Sequence, residues 1–175
     1  GQIEEMVRAC DACRAVAPSR PKESLLQDQA ERPMQLVCID LLEEGGHTFV
    51  AFVDAFTGYP FLEKLKRTST SDVTDALDKW FSIFGYPRVC RSDGGPQFRG
   101  PFKAWCAERG VKHVTSSPYN PQSNGRAEAT VKNMKKLLKK CKMQGESFRV
   151  ALQEFRAKPR EDGPSPSMMM FSRNP

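Results

Sequence analysis

The sequence predicts an α/β fold, a mixed five-stranded sheet flanked by helices, on three observations. Three short apolar segments follow one another between Met34 and Leu65, separated by Gly45-Gly46 and Thr57-Gly58, as in antiparallel hairpins. From Ser71 onward, segments of helical period alternate with short strand-like runs, the order expected of helices crossing over a sheet. The 175 residues, 39% apolar and 27% charged, suit one domain able to bury its own core.

The first 33 residues stand apart. Cys10-Asp11-Ala12-Cys13 belongs to a small motif over residues 1–16, and the Pro/Ser/Lys/Gln-rich stretch 17–33 reads as an extended linker. The Cys-x-x-Cys pair has zinc-knuckle spacing, but a structural zinc site needs four ligands. Both histidines, His47 and His113, lie far downstream in predicted strands, so Cys10 and Cys13 are at most a partial zinc site, the alternative being a free thiol pair.

The main domain spans 34–175. Its strands are expected at Met34–Asp40, with Asp40 ending the apolar run Leu36-Val37-Cys38-Ile39, then at His47–Asp54 and Tyr59–Leu65. Ser71 to Phe84 repeats apolar residues at Val73, Ala76, Leu77, Trp80, Phe81 and Phe84, a helix capped by Ser71 or Thr70 and ended by Gly85. A strand at Pro87–Arg91, a helix at about Pro101–Arg109 closed by Gly110, and a strand at Val111–Thr115 follow. Ser116 to Asn124 is dense in turn formers, and Ser123 or Asn124 is placed to cap the next helix. Amphipathic helices at Ser147–Ala157 and Ser165–Phe171 complete the chain. Asp72, Asp75 and Asp78 fall on the polar side of the first helix and are expected to face solvent.

Winding the helix after Asn124 at about 100° per residue puts Glu128, Lys132, Lys135, Lys139 and Lys142 along one row. Ala127, Val131, Met134, Leu138 and Cys141 form an apolar stripe beside it. Taken without other motifs, the row reads first as a solvated face in which Glu128 and Lys132 pair at i,i+4. The net charge of +6 and pI near 9.1 favour a polyanionic partner. No run of about 18 apolar residues marks a membrane span and no leader pattern is visible, so a soluble, intracellular protein is expected. Cys38, Cys90 and Cys106 sit in apolar segments and are expected to be reduced core thiols.

Three carboxylates at strand ends and a helix start make a plausible divalent-metal site: Asp40, Asp93 in the turn Ser92-Asp93-Gly94-Gly95-Pro96-Gln97-Phe98, and Glu128. Together with Ser117-Pro118-Tyr119-Asn120-Pro121-Gln122-Ser123-Asn124-Gly125-Arg126-Ala127-Glu128, this arrangement resembles the catalytic core of retroviral and Gypsy-type retrotransposon integrases, from about Met34 to Pro175. The resemblance implies a ribonuclease-H-like fold and an Asp-Asp-Glu polynucleotidyl transferase and endonuclease. It implies that Asp40, Asp93 and Glu128 are catalytic acids that bind Mg²⁺ or Mn²⁺, for 3′-end processing and strand transfer of element DNA into target DNA. It further implies DNA contacts from Gln122, Asn124, Lys132 and Lys135, a homodimer or higher oligomer, and action in the nucleus; Tyr119 adds a ring on which a displaced base could stack. Cys10 and Cys13 look like the second half of that family's His-His-Cys-Cys module, which holds Zn²⁺ only if histidines upstream are supplied. The alternative is a domesticated or inactive relative that binds DNA or protein without chemistry.

Three further expectations attach to the resemblance. The 34 residues between Asp93 and Glu128 are one short of the family's usual spacing, which places a contraction between Phe98 and Gly110 and puts the packing there in question. Leu152, Phe155 and Met168 to Phe171 are expected to contribute to a subunit interface, and Asp54, at the end of the second strand, is expected to have no metal duty.

Overall fold

The computed structural model describes residues 30–115, 125–161 and 163–174, except the side chains of residues 125, 126 and 128. Five strands, β1 (Leu36–Glu44), β2 (His47–Asp54), β3 (Pro60–Lys64), β4 (Val89–Ser92) and β5 (Lys112–Thr115), form one sheet in the order β3-β2-β1-β4-β5. The three consecutive strands pair antiparallel, whereas β1 with β4 and β4 with β5 pair parallel. The expected mixed sheet is therefore present. A parallel pair needs a crossover, and helices α1 (Thr70–Phe84) and α2 (Gly100–Glu108) supply the two required here. Helices α3 (Gly125–Gln144), α4 (Phe148–Ala157) and α5 (Pro166–Phe171) follow.

Strand alternation divides the core in two. Val37 and Ile39 of β1, and Val50 and Phe52 of β2, face α1 and α2, where they meet Val73, Leu77, Phe81, Phe102 and Trp105. Leu42 and Ala51 point the other way, beneath Met134 and Leu138 of α3 and Leu152 of α4. Asp40 shares the register of Leu42, so the same alternation that builds the second core turns this acid towards α3.

β1 is longer than the sequence suggested. It runs through Asp40 to Glu44 because β2 continues to pair with it from Leu41↔Val50 to Glu44↔His47, closing at Gly45 and Gly46, both at positive φ. Asp40 is thus inside the strand. Its pairing with β4, however, stops at Cys38↔Arg91, so Asp40 lies just beyond the parallel ladder.

The region of expected contraction is well packed. A 3-10 turn at Pro96–Phe98 leads through Arg99 directly into α2, and Phe98, Phe102, Trp105 and Cys106 are all buried. Asp78 is not a free solvent-facing acid. It accepts hydrogen bonds from Trp105 Nε1 at 3.1 Å, Tyr86 Oη at 2.6 Å and Arg109 Nη2 at 2.9 Å, tying α1 to α2. Asp72 joins the Ser69 cap of α1, and Asp75 alone of the three is simply exposed.

Asp54 is fully buried and accepts from the Met34 and Thr57 backbone N–H groups and Thr57 Oγ1, each at 2.7 Å. It thereby fixes the β2–β3 turn and the entry into β1. The residues expected at a subunit interface are largely used within the chain. Leu152 is buried, Phe155 and Met170 pack on the two cores, and Phe171 crosses Tyr59 edge-on at 5.2 Å. Met168 and Phe171 remain 39% exposed. Among the described residues the cysteines at 38, 90, 106 and 141 form no disulfide; Cys90 and Cys106 are buried core thiols as expected, whereas Cys38 is half-buried. Among the described residues, no helix is long and apolar enough to cross a membrane.

Candidate functional site

A cleft of about 490 Å³ opens where the β1–β4 ladder ends beneath the first turns of α3. β1 contributes Cys38, Asp40 and Leu42 to its wall, β4 and the residue after it contribute Arg91, Ser92 and Asp93, and α3 contributes Ala127, Val131, Lys132 and Lys135. Asp40 and Asp93, 53 positions apart in the chain, therefore line one depression with two lysines.

Each acid is held by its local backbone. Asp40 Oδ1 accepts from the Leu41 N–H at 2.8 Å, and Asp93 Oδ1 accepts from the Gly95 N–H at 3.0 Å. The turn after Asp93 is fastened further by Arg99 Nε, which donates to the Gly94 carbonyl at 3.0 Å, and by the Phe98 N–H, which donates to the Gly95 carbonyl at 3.0 Å. Thr70 Oγ1, at the start of α1, donates to the Gln97 carbonyl at 3.0 Å. The Gly-rich turn is thus anchored to two helices while Asp93 itself stays exposed.

The electrostatics of the cleft disfavour negative charge on Asp40. Burial pushes its carboxyl above the ordinary carboxylate range and the nearby Asp93 charge adds to that push, while the Leu41 N–H and Lys135 act in the opposite direction. A cation held between the two acids would offset this penalty. Lys132 and Lys135 are exposed along the cleft, so their ammonium groups stay hydrated and available to an anion.

Position 128 lies in the first turn of α3, four residues before Lys132 on the same helical face. The Glu128 carboxylate lies outside the described side chains. So do Tyr119, Gln122 and Asn124, and so do Cys10 and Cys13. Among the described residues, no three metal-ligating side chains cluster. Lys139, expected in the same row, does not line the cleft.

Sequence reasoning missed Arg91, Ser92 and His113. Ser92 is buried directly before Asp93, and its Oγ lies 2.9 Å from the Asp93 carbonyl and 2.9 Å from His113 Nε2 of β5. The available signal was the pairing of β4 with β5, which sets Cys90 opposite His113 and Ser92 opposite Thr115, but register between separate strands is not written in either one.

Residues 30–121 match the family model described as Integrase core domain. The chain belongs to the integrase core domain family. A Caenorhabditis elegans protein named "Uncharacterized protein K02A2.6" is 33% identical over 161 residues, covering 87% of this chain and 12% of its own length. The Gag-Pro-Pol polyprotein of Simian retrovirus SRV-1 is 33% identical over 148 residues, 81% of this chain and 8% of the polyprotein. The chain thus spans a small fraction of these relatives.

Among solved structures, the catalytic core domain of BIV integrase aligns with a TM-score of 0.69 at 19% identity, covering 79% of this chain and 95% of that one. A chain of the simian T-cell lymphotropic virus intasome in complex with PP2A regulatory subunit B56 gamma aligns with a TM-score of 0.81 at 21% identity, covering 98% and 66% respectively. At such identities the likeness speaks for the fold, the ribonuclease-H-like architecture expected of the integrase core.

Proposed function

We propose that this chain is the catalytic core of a DNA strand transferase that trims the 3′ ends of element DNA and joins them to target DNA. The observation that carries the proposal is the meeting of Asp40 and Asp93 in one lysine-flanked cleft under the helix that bears Glu128. Membership of the integrase core domain family supports the same class of reaction.

The donor set fits a hard divalent cation. Carboxylate oxygens are the ligands that Mg²⁺ and Mn²⁺ prefer, and the crowding of Asp40 by burial and by Asp93 is the penalty that such an ion relieves. Asp40, Asp93 and Glu128 would hold it. When bound, Mg²⁺ supplies neutralisation of phosphate charge and activation of an oxygen nucleophile for in-line displacement.

The remaining work falls to the protein. The Gly95 N–H and the Leu41 N–H orient one oxygen of each acid, which leaves the other oxygens for a ligand. Lys132 and Lys135 neutralise phosphates and seat the DNA backbone at the cleft mouth. Water is the nucleophile in end trimming and the freed 3′-hydroxyl in joining. The partner is DNA, the active unit is a homodimer or higher oligomer, and the place of action is the nucleus.

The test is Mg²⁺-dependent nicking or strand transfer on an end-labelled DNA duplex, with the Asp93→Asn variant as control. Product from the wild type and none from the variant supports the proposal. Equal product from both, or a wild type that binds DNA without cutting it, refutes it.

A further inference from the structure

The hydrogen bonds of Ser92 and His113 cannot be assigned independently of each other. A serine hydroxyl has one proton to give. Ser92 Oγ donates it to the Asp93 carbonyl at 2.9 Å, so the contact with His113 at 2.9 Å requires the imidazole Nε2–H to be the donor. In the neutral ring this leaves His113 Nδ1 as a bare acceptor, and among the described residues the buried Nδ1 has no hydrogen-bond partner. The opposite tautomer would strand a buried N–H donor there, a rarer and costlier defect. Burial also pushes the His113 imidazole below its ordinary range, with Lys103 adding to the effect, so the ring is neutral at physiological pH.

The ring is fixed by more than this bond. It meets Phe102 of α2 edge-on at 5.0 Å, and β5 holds its backbone beside β4 through the pairing Cys90↔His113. The chain from α2 through His113 and Ser92 ends on the peptide that follows Asp93. That peptide sets the backbone torsion from which the Asp93 side chain leaves the turn. Gly94 and Gly95 themselves impose little restraint on it.

We propose that His113 is a positioning residue that aims Asp93 through Ser92, by donating from Nε2 so that the serine hydroxyl is committed to the Asp93 carbonyl. The inference rests on the reading of Asp93 as a metal-holding acid. It predicts that the N–H donor, and not the bulk of the ring, is what the site requires.

Two substitutions separate donor from bulk. His113→Phe keeps an aromatic ring against Phe102 and removes the donor, whereas His113→Gln removes the ring and keeps an N–H at similar reach. Mn²⁺ binding by the DNA-free chain, followed by electron paramagnetic resonance below the thermal midpoint of each variant, reads the effect without catalysis. His113→Phe is expected to weaken binding about tenfold, the lower end for loss of an outer hydrogen-bonding partner, and His113→Gln to restore most of it. If Gln binds as weakly as Phe or more weakly, His113 acts by packing and the proposal fails.

Should His113→Phe not fold, Ser92→Ala carries the same expected loss. The ¹⁵N resonances of the wild-type imidazole give a reading that needs no variant: protonation at Nε2 alone supports the proposal, and protonation at Nδ1 overturns it. A wild type that binds no Mn²⁺ sinks the metal-site reading itself. A wild type that binds it, with His113→Phe and Ser92→Ala binding equally well, sinks only the positioning role.

Discussion

Replacing Lys132 and Lys135 together by Gln tests whether the cleft mouth is a phosphate seat. Both side chains are exposed and line the cleft that contains Asp40 and Asp93. Each phosphate neutralised by a lysine adds about 0.9 to the slope of log affinity against log salt, so the pair contributes about 1.8. Raising the salt from about 50 to about 200 mM should then weaken wild-type binding about twelvefold more than binding by the double variant. Fluorescence anisotropy of a labelled duplex, titrated at several salt concentrations without divalent cation, measures both slopes. Lys136 and Lys140 are exposed on the same helix but do not line the cleft, so their double replacement is the matched control. An unchanged slope in the Lys132/Lys135 variant, or an equal fall in the control, would show that the helix attracts DNA by general charge and has no phosphate seat at the cleft.

Asp40→Asn should stabilise the metal-free protein. Because the folded carboxyl titrates above its unfolded value, the folded state holds more protons between the two, and stability falls as pH rises through that window. With chelator present, thermal midpoints of wild type and variant should converge at acidic pH and separate towards neutral pH, with the variant higher. Asp54→Ala should cost about 3 kcal/mol in urea unfolding, because the buried N–H and hydroxyl of Thr57 and the half-buried N–H of Met34 lose their acceptor. Asp78→Ala should cost about 1 kcal/mol or somewhat more in the same assay and free Trp105, visible as a change in its fluorescence, since the partly exposed pair with Arg109 is screened by water.

What the sequence made legible follows from the range of each interaction. Hairpins and helix periods are local, so β2, β3 and the helices lie where their patterns put them to within a few residues, although α1 is capped by Ser69 and not by Thr70 or Ser71, which fall inside the helix. The Gly-rich turn around Asp93 and the lysine row of α3 were visible for the same reason. The far end of β1 was not, because Glu43 and Glu44 do not look like strand residues and join only through their pairing with Thr48 and His47. Asp78 looked solvated because its partners Trp105 and Arg109 come from α2 and its C-cap, which only the fold brings alongside. The link from His113 to Ser92 depends on the pairing of β4 with β5, which neither short strand specifies alone.

The central claim is that Asp40 and Asp93 share one cation. Anomalous scattering from crystals of the chain soaked in Mn²⁺ tests it most directly, by locating the ion without recourse to activity. A peak is expected in the cleft within coordination distance of both carboxylates, about 2 Å, and it should disappear in crystals of Asp93→Asn. A peak elsewhere, or one at the cleft that survives the substitution, would contradict it.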